Sequence, residues 1–393
     1  MNLAFLSKDY PPQQVGGVGT YVTEMSRLLA RKGHQVFVIS QGDSVYEELL
    51  VPGGQSIRVI RVQPARLSFM DLVRDSHPGL VERLEYSWSV SQALKRLHKD
   101  IRLDVVEASE ARAEGFWYYL THRNPPLLIK LHTPEYVAVK LNQTHRLPYW
   151  RGAHSLEKHW IFSAHQLVGI TQAVVDKVAE SYRVRLQGIP LVRNPIDLDF
   201  FSPNGVAPSD SQPEILYVGR LEFRKGVQVL ARAIPKVLSQ CPTATFTFLG
   251  DPCGMESYVS ETLAPYMERG AVQWLRGIPR EELLGYYRRA TLVVIPSLWE
   301  NSPYTCLEAM SCGKPVVCSS GGGLSELAEH GVNGWLTAPG SSAELAQGII
   351  HLLEHPDTRM RLGRNARSHI IKQYDEKSIY EQALAVYENT ATR

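Results

Sequence analysis

Residues 214–239 read EILYVGRLEFRKGVQVLARAIPKVLS, and this stretch decides the fold. Glu214–Val218 is a short apolar run typical of a buried strand, Gly219–Gly226 is a loop bounded by glycines, and Val227–Ser239 has the apolar spacing of an amphipathic helix. A second apolar run, Ala244–Leu249, follows the helix. A strand, a loop, a helix and a strand in this order predict a right-handed βαβ unit on a parallel sheet.

The same pattern occurs once more, at the beginning of the sequence. Leu3–Ser7 is predicted as a strand, a loop leads to Gly16-Gly17-Val18-Gly19, and a helix near Thr20–Arg31 follows. Gly33 is expected to end this helix, and Gln35–Ser40 is the next strand. Two such starts predict an α/β protein with two doubly wound, Rossmann-like domains, whose ligands bind beyond the carboxyl ends of the strands. We therefore expect the site in a cleft between two facing sheets.

The domain boundaries follow from composition. A stretch rich in Pro, Asp and Ser, residues 194–213, is the best candidate for a linker. We predict an N-terminal domain of residues 1–192 and a second domain of residues 193–373. An amphipathic helix is predicted near Tyr374–Thr390, within residues 374–393.

Composition excludes several classes of protein. The 393 residues are 44% hydrophobic and 21% charged, as in ordinary globular proteins, which argues against a disordered, collagen-like or multi-span membrane chain. The net charge of +2 argues against nucleic acid as a partner. The apolar run at residues 3–6 is too short for a signal peptide, and no run approaches the ~20 apolar residues of a membrane span. We expect a cytoplasmic protein.

The five cysteines have no metal-ligand or disulfide pattern. They are Cys241, Cys253, Cys306, Cys312 and Cys318, with no Cys-x-x-Cys pair and no histidine at ligand spacing. We expect reduced, buried thiols.

The two glycine-rich loops suit anions more than dinucleotides or ATP. Gly17-Val18-Gly19 lacks the third glycine of a dinucleotide fingerprint, because Val22 occupies that position, and no segment matches a P-loop. Glycines before a helix N-terminus suit an anion or a sugar hydroxyl, although a flexible turn is the alternative. In the second loop, Arg220 and Lys225 precede Gly226 and fit a diphosphate, with solvated surface charge as the alternative.

Two glutamates stand eight residues apart in the segment after the predicted strand Thr291–Pro296. Ser302 as N-cap, Pro303 as first helical residue and Gly313 beyond the C-terminus predict a helix of about ten residues. Glu300 then lies in the loop and Glu308 in the helix.

The first turn of this helix is a candidate binding site. Side chains lean toward the helix N-terminus, so Glu308 would reach toward the amides of Tyr304 and Thr305, which have no partners within the helix. The alternative is that Glu300 merely precedes the helix and that Glu308 is a solvated helix residue. Glycines 321–323, after the next strand, are expected to face the same cleft, and Asn333-Gly334 is typical of a hairpin turn.

These residues resemble the retaining glycosyltransferases of family four, which have the GT-B fold, over nearly the whole chain. The resemblance is carried by Gly16-Gly17, His132 after a strand, the Asn194–Asp197 linker, Arg220 and Lys225 before Gly226, the Glu300-x7-Glu308 pair, and Gly322-Gly323-x-x-Glu326. It implies a GT-B architecture whose C-terminal helix crosses back to the N-terminal domain.

The resemblance also implies roles for single residues. Arg220 and Lys225 would hold the donor diphosphate, Glu308 the ribose hydroxyls and Glu300 the hydroxyls of the donor sugar. The remaining implied donor contacts are Gly16, Gly17, Arg276, Ile278, Tyr304 and Thr305, with His132 facing the donor sugar. The catalytic set is then Glu300, His132, Arg220 and Lys225.

The sequence departs from the family pattern in two places. Asn194-Pro195-Ile196-Asp197 replaces the commoner Asn-Gly-Val-Asp, which we interpret as structural, and Glu107 stands where many members carry histidine, which we expect to affect the acceptor side. Asp197-Leu198-Asp199 matches the Asp-x-Asp metal motif of another glycosyltransferase fold, but it lies inside the linker. We expect no metal and no cofactor, because the two cations and a helix N-terminus can stabilise the leaving diphosphate.

The predicted reaction is transfer of a hexose from a nucleotide diphosphate sugar, with UDP-glucose as first choice, to a sugar or lipid-linked oligosaccharide with retention. Polysaccharide or glycoconjugate synthesis is the expected setting. A sugar-nucleotide epimerase of the same architecture and a non-catalytic sugar-binding protein are the alternatives. The basic run Lys95-Arg96-Leu97-His98-Lys99, followed by Arg102, is either a solvated helix face or a peripheral contact with anionic lipid at the inner face of the membrane.

Overall fold

The chain forms two compact units. A computed structural model describes residues 1–12, 16–43, 46–143, 152–203 and 211–393. Unit 1 comprises Met1–Pro195 and Glu376–Arg393, and unit 2 comprises Ile196–Asp375. These divisions lie within three residues of the boundaries predicted at 192 and 373. Part of the predicted linker, residues 204–210, lies outside the described residues.

Unit 1 is built on a seven-stranded sheet. Its strands are β1 Asn2–Leu6, β2 Gln35–Gln41, β3 Tyr46–Leu49, β4 Ile57–Val62, β5 Val105–Ser109, β6 Leu127–Leu131 and β7 Gln166–Gly169. The order across the sheet is β3-β4-β2-β1-β5-β6-β7, with Leu3 opposite both Val36 and Val105. Each neighbouring pair is parallel except β3 with β4, where β3 adds an antiparallel edge strand.

The helices of unit 1 are α1 Gly17–Arg31, α2 Pro78–Ile101, α3 Phe116–Thr121, α4 Glu135–Leu141, α5 Ala153–Phe162 and α6 Gln172–Tyr182. Two 3-10 helices, Ser68–Val73 and Ala111–Ala113, interrupt the loops. Helix α1 begins three residues before the predicted start and ends at the predicted Arg31.

Unit 2 is built on a six-stranded parallel sheet. Its strands are β8 Glu214–Val218, β9 Thr245–Leu249, β10 Val272–Leu275, β11 Leu292–Ile295, β12 Val316–Ser319 and β13 Trp335–Thr337, in the order β10-β9-β8-β11-β12-β13. Its helices are α7 Val227–Gln240, α8 Glu256–Glu268, α9 Arg280–Arg289, α10 Tyr304–Ser311, α11 Leu324–Leu327, α12 Ser342–Glu354 and α13 Pro356–Gln373. The hairpin predicted at Asn333-Gly334 is wrong, because the turn there leads into β13, which runs parallel to β12.

Each sheet changes its winding direction at one place, and that place positions the candidate site. In unit 1 the change lies between β1 and β5, and in unit 2 it lies between β8 and β11. Ligands of doubly wound sheets bind beyond the carboxyl ends of the strands at this switch point. The loops after β8 and β11 carry Arg220, Lys225 and Glu300.

The last helix, α14 Glu376–Ala391, belongs to unit 1, so the predicted return to the N-terminal domain is confirmed. It buries Ile379, Ala383 and Tyr387. The Tyr387 hydroxyl donates a hydrogen bond to Glu107 Oε2, and the Tyr21 hydroxyl on α1 donates to Glu107 Oε1 at 2.6 Å. Glu107 therefore lies in the interior of unit 1, where it anchors two helices.

Two further features bear on the sequence predictions. In the part of the chain that the structure describes, no helix has the length and apolar character needed to cross a bilayer. All five cysteines are free thiols, and Cys306, Cys312 and Cys318 are buried as predicted. The prediction of a buried thiol is wrong for Cys253, which is exposed on the loop after β9, and Cys241 is only partly buried.

Candidate functional site

The loop after β8 brings two cations to the switch point of unit 2. The loop ends in a 3-10 turn, Phe223–Lys225, and Gly226 then takes a left-handed conformation with φ 73°. A Cβ atom at Gly226 would lie 1.9 Å from the carbonyl oxygen of Pro296, so only glycine allows the two loops to approach this closely. This packing places the Lys225 ammonium against the loop after β11.

Glu300 is the centre of this site. Its Oε1 lies 2.5 Å from Lys225 Nζ and accepts the Ser297 hydroxyl at 3.1 Å, and its Oε2 accepts Arg224 Nη1 at 3.2 Å. Glu300 is only 5% exposed. Burial by itself raises the pKa of Glu300, but the charges of Lys225 and Arg224 outweigh burial and hold the pKa at about 2. The carboxylate is therefore ionised at physiological pH.

Two functional candidates in the same loop escaped the sequence analysis. Arg224 and Glu222 are buried and form an ion pair at 2.7 Å, and Glu222 also reaches the half-exposed Arg220 at 3.4 Å. Arg220, Glu222, Arg224 and Glu300 thus form a chain of alternating charges. The sequence signal for these two residues is the alternation of acidic and basic side chains in Arg220–Lys225. The sequence prediction assigned a role only to Arg220 and Lys225.

The backbone of glycines 321–323 forms hydrogen bonds with the backbone of Glu300. The Gly323 N–H donates to the Glu300 carbonyl at 2.8 Å, and the Glu300 N–H donates to the Gly321 carbonyl at 3.3 Å. Gly322 has φ 71°, and a Cβ atom there would lie 2.1 Å from the Glu300 carbonyl oxygen. Glycine at position 322 is therefore required for this packing against the Glu300 backbone.

Helix α10 begins directly after this loop. The predicted N-cap Ser302 is wrong by one position: Pro303 is the N-cap, with φ −70° and ψ 130°, and the helix starts at Tyr304. The extended conformation of proline before the first turn explains the shift. The Cys306 and Leu307 N–H groups donate to the Pro303 carbonyl, so the N–H groups of Tyr304 and Thr305 precede the first intrahelical donor.

Glu308 lies in the second turn of α10 and is almost fully buried. Its Oε2 accepts the hydroxyl of Tyr287, on α9, at 2.7 Å. Tyr287, which sequence reasoning missed, is fully buried and fixes the carboxylate orientation. A buried tyrosine in an amphipathic helix looks like an ordinary core residue, so no sequence signal could have revealed it.

Arg276 and Ile278 follow β10, two strands away from β8. The Arg276 guanidinium lies 4.0 Å from the Trp274 ring centroid and pairs with Glu256 at 2.9 Å. Gly277 between them has φ 61°, and Ile278 is half-buried. This segment is at the carboxyl edge of the sheet, as a contact to a nucleotide base requires.

His132 lies in unit 1, directly after β6. Both carboxylate oxygens of Glu110 accept its backbone N–H at 3.0 Å, and its ring meets the Tyr21 ring edge-on with centroids 4.9 Å apart. Burial, together with the charge of Lys130, lowers the pKa of His132 to about 3. The ring is therefore neutral at physiological pH.

A second buried carboxylate supports the same loop. Glu157 accepts the N–H groups of Glu135 at 2.6 Å and Tyr136 at 3.1 Å. Burial raises the pKa of Glu110 to about 8 and that of Glu157 to about 7. These two acids, which were not singled out from sequence, bind the backbone of His132 and of the first two residues of α4.

Gly16 and Gly17 stand at the N-terminus of α1, and both are exposed. A Cβ atom at either position would meet no atom within 4 Å among the described residues. Packing among the described residues of unit 1 therefore does not require glycine at these two positions, in contrast to Gly226 and Gly322 in unit 2.

The Asp-x-Asp motif has a structural explanation. Asp197 Oδ1 accepts the N–H groups of Asp199 at 3.2 Å and Phe200 at 2.9 Å, so the carboxylate stabilises a turn. Within residues that the structure describes, no group of three or more His, Cys, Asp or Glu side chains could hold a metal ion.

Comparison with known proteins identifies the family. The sequence model described as Glycosyltransferase Family 4 matches residues 15–200, and the one described as Glycosyl transferases group 1 matches residues 201–369. The chain is a glycosyltransferase of family four. This family-four chain is 26% identical over 405 residues to glycogen synthase from Mycobacterium tuberculosis, covering 98% of this chain and 94% of the relative.

Solved structures confirm the GT-B fold of this family-four protein. Sucrose-phosphate synthase from Thermosynechococcus elongatus matches with a TM-score of 0.81 at 22% identity, covering 99% of this chain and 98% of the other. Anabaena HepE in complex with UDP-glucose matches with a TM-score of 0.73 at 20% identity, covering 99% and 100%. The roles of single residues stay predictions.

Proposed function

We propose that this glycosyltransferase transfers a hexose from UDP-glucose, or a similar UDP-hexose, to a sugar or lipid-linked oligosaccharide with retention of configuration. The observation that carries the proposal is the cluster of Lys225, Arg224 and Glu300 at the switch point of unit 2, beside the first turn of α10. HepE, a protein of the same fold, binds UDP-glucose, which makes this donor the first to test.

The leaving diphosphate is stabilised by charge. Arg220 is more than half exposed and can bind two phosphate oxygens, while Lys225 exchanges Glu300 for phosphate when the donor binds. The N–H groups of Tyr304 and Thr305 add the positive end of the α10 dipole. These groups supply the stabilisation that a divalent cation would otherwise give, so we propose metal-independent transfer.

Glu300 is better suited to hold donor-sugar hydroxyls than to attack the anomeric carbon. Its two oxygens already accept from Lys225, Ser297 and Arg224, and its low pKa makes it a weak nucleophile. The acceptor hydroxyl oxygen then bonds to the anomeric carbon on the face from which UDP departs. The carbon–oxygen bond to the β-phosphate breaks, and that phosphate oxygen takes the acceptor's proton.

The donor's nucleoside is held by the remaining residues of unit 2. Glu308, oriented by Tyr287, accepts the ribose hydroxyls, and Arg276–Ile278 meets the base. In unit 1, neutral His132 hydrogen-bonds the donor sugar, and Gly16-Gly17 lets the backbone approach it.

Peripheral contact with anionic lipid belongs to the same proposal. Lys95, Arg96 and Lys99 are exposed on α2, and Trp88 on the same helix is 37% exposed. Sedimentation with vesicles of phosphatidylcholine, with and without phosphatidylglycerol, tests it: binding that does not increase with the anionic lipid contradicts the contact.

The experiment for the reaction combines UDP release with product analysis. Purified protein with UDP-glucose and a panel of saccharide acceptors should release UDP and give a product whose anomeric configuration, read by proton NMR, equals that of the donor. Activity should persist in EDTA. A rearranged UDP-sugar without acceptor would support an epimerase, donor binding without turnover would support a sugar-binding protein, and an inverted product would contradict retention.

A further inference from the structure

A buried network in unit 1 joins the C-terminal helix to the ring of His132. Glu107, on β5, accepts the Tyr21 hydroxyl at 2.6 Å with one carboxylate oxygen and the Tyr387 hydroxyl with the other. Tyr21 lies on α1 and Tyr387 on α14, so helices from opposite ends of the sequence meet at one carboxylate. The Tyr21 ring in turn meets the His132 ring edge-on, with the centroids 4.9 Å apart.

Lys130 adds a second charge to this network. Its ammonium lies 4.4 Å from the centroid of the Tyr21 ring, within the range of a cation–π interaction, and donates to the Val192 carbonyl at 2.8 Å. Glu107 pairs with Leu128 in the register of β5 and β6, so Lys130, two residues further along, lies on the same face of the sheet as Glu107. Burial raises the pKa of Glu107 and lowers that of Lys130 to about 8, and each charge opposes the effect of burial on the other. The two charges therefore interact.

The network is too deeply buried to bind a substrate. None of its four side chains is more than 4% exposed: Tyr21, Glu107, Lys130 and Tyr387. The cavity that they line has a volume of about 10 Å³, room for one water molecule at most. A sugar ring does not fit into this space. These side chains can therefore act on a reaction only through the residues that they contact.

Stability alone does not explain two buried charges. Removing Glu107 and Lys130 from water costs free energy, and apolar side chains of similar volume are often equally or more stable at such positions. A buried polar network whose hydrogen bonds are made has another effect, because it fixes its members in one arrangement. Here it fixes the hydroxyl of Tyr21.

Tyr21 connects the network to two predicted contacts of the donor sugar. Its ring packs against His132, and it stands four residues after Gly17 on α1, which is about one helical turn. The hydrogen bond to Glu107 therefore positions both the His132 ring and the first turn of α1. A displacement of about 1 Å in such groups can reduce a reaction rate about 100-fold.

We propose that Glu107 and Tyr387 are positioning residues, which hold Tyr21 and, through Tyr21, the ring of His132 for the transfer reaction. The inference rests on the proposed function, which places His132 at the donor sugar. The charge of Lys130 stabilises the carboxylate that accepts both hydroxyls. Helix α14 thus contributes to the geometry around His132 as well as to the core of unit 1.

The position of the His132 ring can be measured without the reaction. In protein that is isotope-labelled at the histidine rings, the NMR signal of His132 is assigned by its loss in His132→Asn, and its chemical shift depends on the nearby Tyr21 ring. Tyr387→Phe removes one hydroxyl from Glu107 and should shift this signal. Tyr119→Phe is the matched control and should not, because Tyr119 is also a buried tyrosine of unit 1 whose hydroxyl donates to a backbone carbonyl, at 3.0 Å. A His132 signal that is unchanged in Tyr387→Phe overturns the inference.

Kinetics connect the position of the ring to the reaction. Tyr387→Phe should lower kcat for transfer from UDP-glucose about tenfold, and it should leave the affinity for UDP, which has no sugar, unchanged. In the His132→Asn background the same substitution should cause no further loss, because both changes act through one group. Losses that multiply in this double variant overturn the inference, as does full activity of Tyr387→Phe beside an impaired His132→Asn.

Replacing both charges separates positioning from stability. Glu107→Leu combined with Lys130→Met places apolar side chains of similar volume in the core, so the melting temperature should stay the same or rise. The rate should nevertheless fall at least as far as in Tyr387→Phe, because both hydroxyls lose their acceptor. A stable protein with these two substitutions that transfers at the wild-type rate, while His132→Asn is impaired, contradicts the inference.

The NMR signal and the rate separate this inference from the proposed function. If the His132 signal shifts in Tyr387→Phe but His132→Asn transfers glucose at the wild-type rate, the positioning of the ring is upheld and the role of His132 in the proposed reaction is rejected. If even the wild-type protein releases no UDP from UDP-glucose with any acceptor, the proposed reaction is rejected and the His132 signal alone decides the positioning.

Discussion

Replacing Glu300 with glutamine tests the proposed site most directly. The change keeps the size of the side chain, but it removes the charge that Lys225 and Arg224 contact at 2.5 Å and 3.2 Å. Losing one charge partner of a polar transition state costs about 3 kcal/mol, which is about 150-fold in rate at 25 °C. We expect the transfer rate at saturating UDP-glucose to fall by this factor.

Glu300→Gln should have two other measurable effects. Removing one partner from a buried ion pair leaves the remaining cations uncompensated, which costs about 3–5 kcal/mol of unfolding free energy. Affinity for UDP should not weaken, because Lys225 no longer has to exchange a carboxylate for phosphate. Calorimetric titration with UDP and urea unfolding measure these two quantities.

A matched control separates the site from general damage. Glu214 is also a hydrogen-bonded carboxylate of unit 2, bound to Arg289 at 3.0 Å and Thr247 at 2.8 Å, but it stands at the amino edge of the sheet. Glu214→Gln should keep the full transfer rate. If Glu300→Gln transfers glucose at more than a third of the wild-type rate, the role of Glu300 is refuted.

Three further predictions concern the loops. Gly322→Ala should lower the unfolding free energy by more than 1 kcal/mol and reduce transfer, because its Cβ would lie 2.1 Å from the Glu300 carbonyl oxygen; a stable, active variant contradicts the packing. Gly17→Ala should leave the melting temperature unchanged or higher, yet reduce transfer, and full activity contradicts its role at the donor. The pKa of His132 is about 3, so the native protein takes up no proton at this ring as the pH is lowered from 6.5 to 5, whereas the unfolded chain does. The free energy of unfolding therefore decreases as the pH is lowered. Between pH 6.5 and 5, urea unfolding should show that the free energy of unfolding decreases by about 2 kcal/mol less in His132→Asn than in the wild-type protein. An equal decrease in both proteins contradicts the prediction.

The sequence predicted the elements whose signal is local. Glu214–Val218 has the bounds that were predicted, because a strand buried on both faces must be a continuous apolar run. The antiparallel strand β3 was missed, because an edge strand is paired on one side only and needs no such run. Asn333-Gly334 has the composition of a hairpin turn. The strand that follows it, β13, pairs in parallel with β12, so the turn does not join two antiparallel strands.

Charges in the site were predicted only in part. The sequence identified Glu300 and Lys225 as candidates, and the structure brings them into contact. Arg224 and Glu222 were missed because the alternation of acid and base in Arg220–Lys225 does not show which of these side chains folding buries and pairs. The same reason explains Glu110, whose carboxylate meets the His132 backbone only after β5 and β6 pair.

Helix α14 has a consequence for synthesis on the ribosome. Unit 2 is inserted into unit 1, so about 180 residues are translated between Pro195 and Glu376. At about 5–20 residues per second, roughly 10 to 35 seconds pass before Tyr387 reaches Glu107. During that time the N-terminal unit lacks a helix of its core, and all strands of unit 2 are made before that helix is translated. The unit that is begun second is therefore completed first.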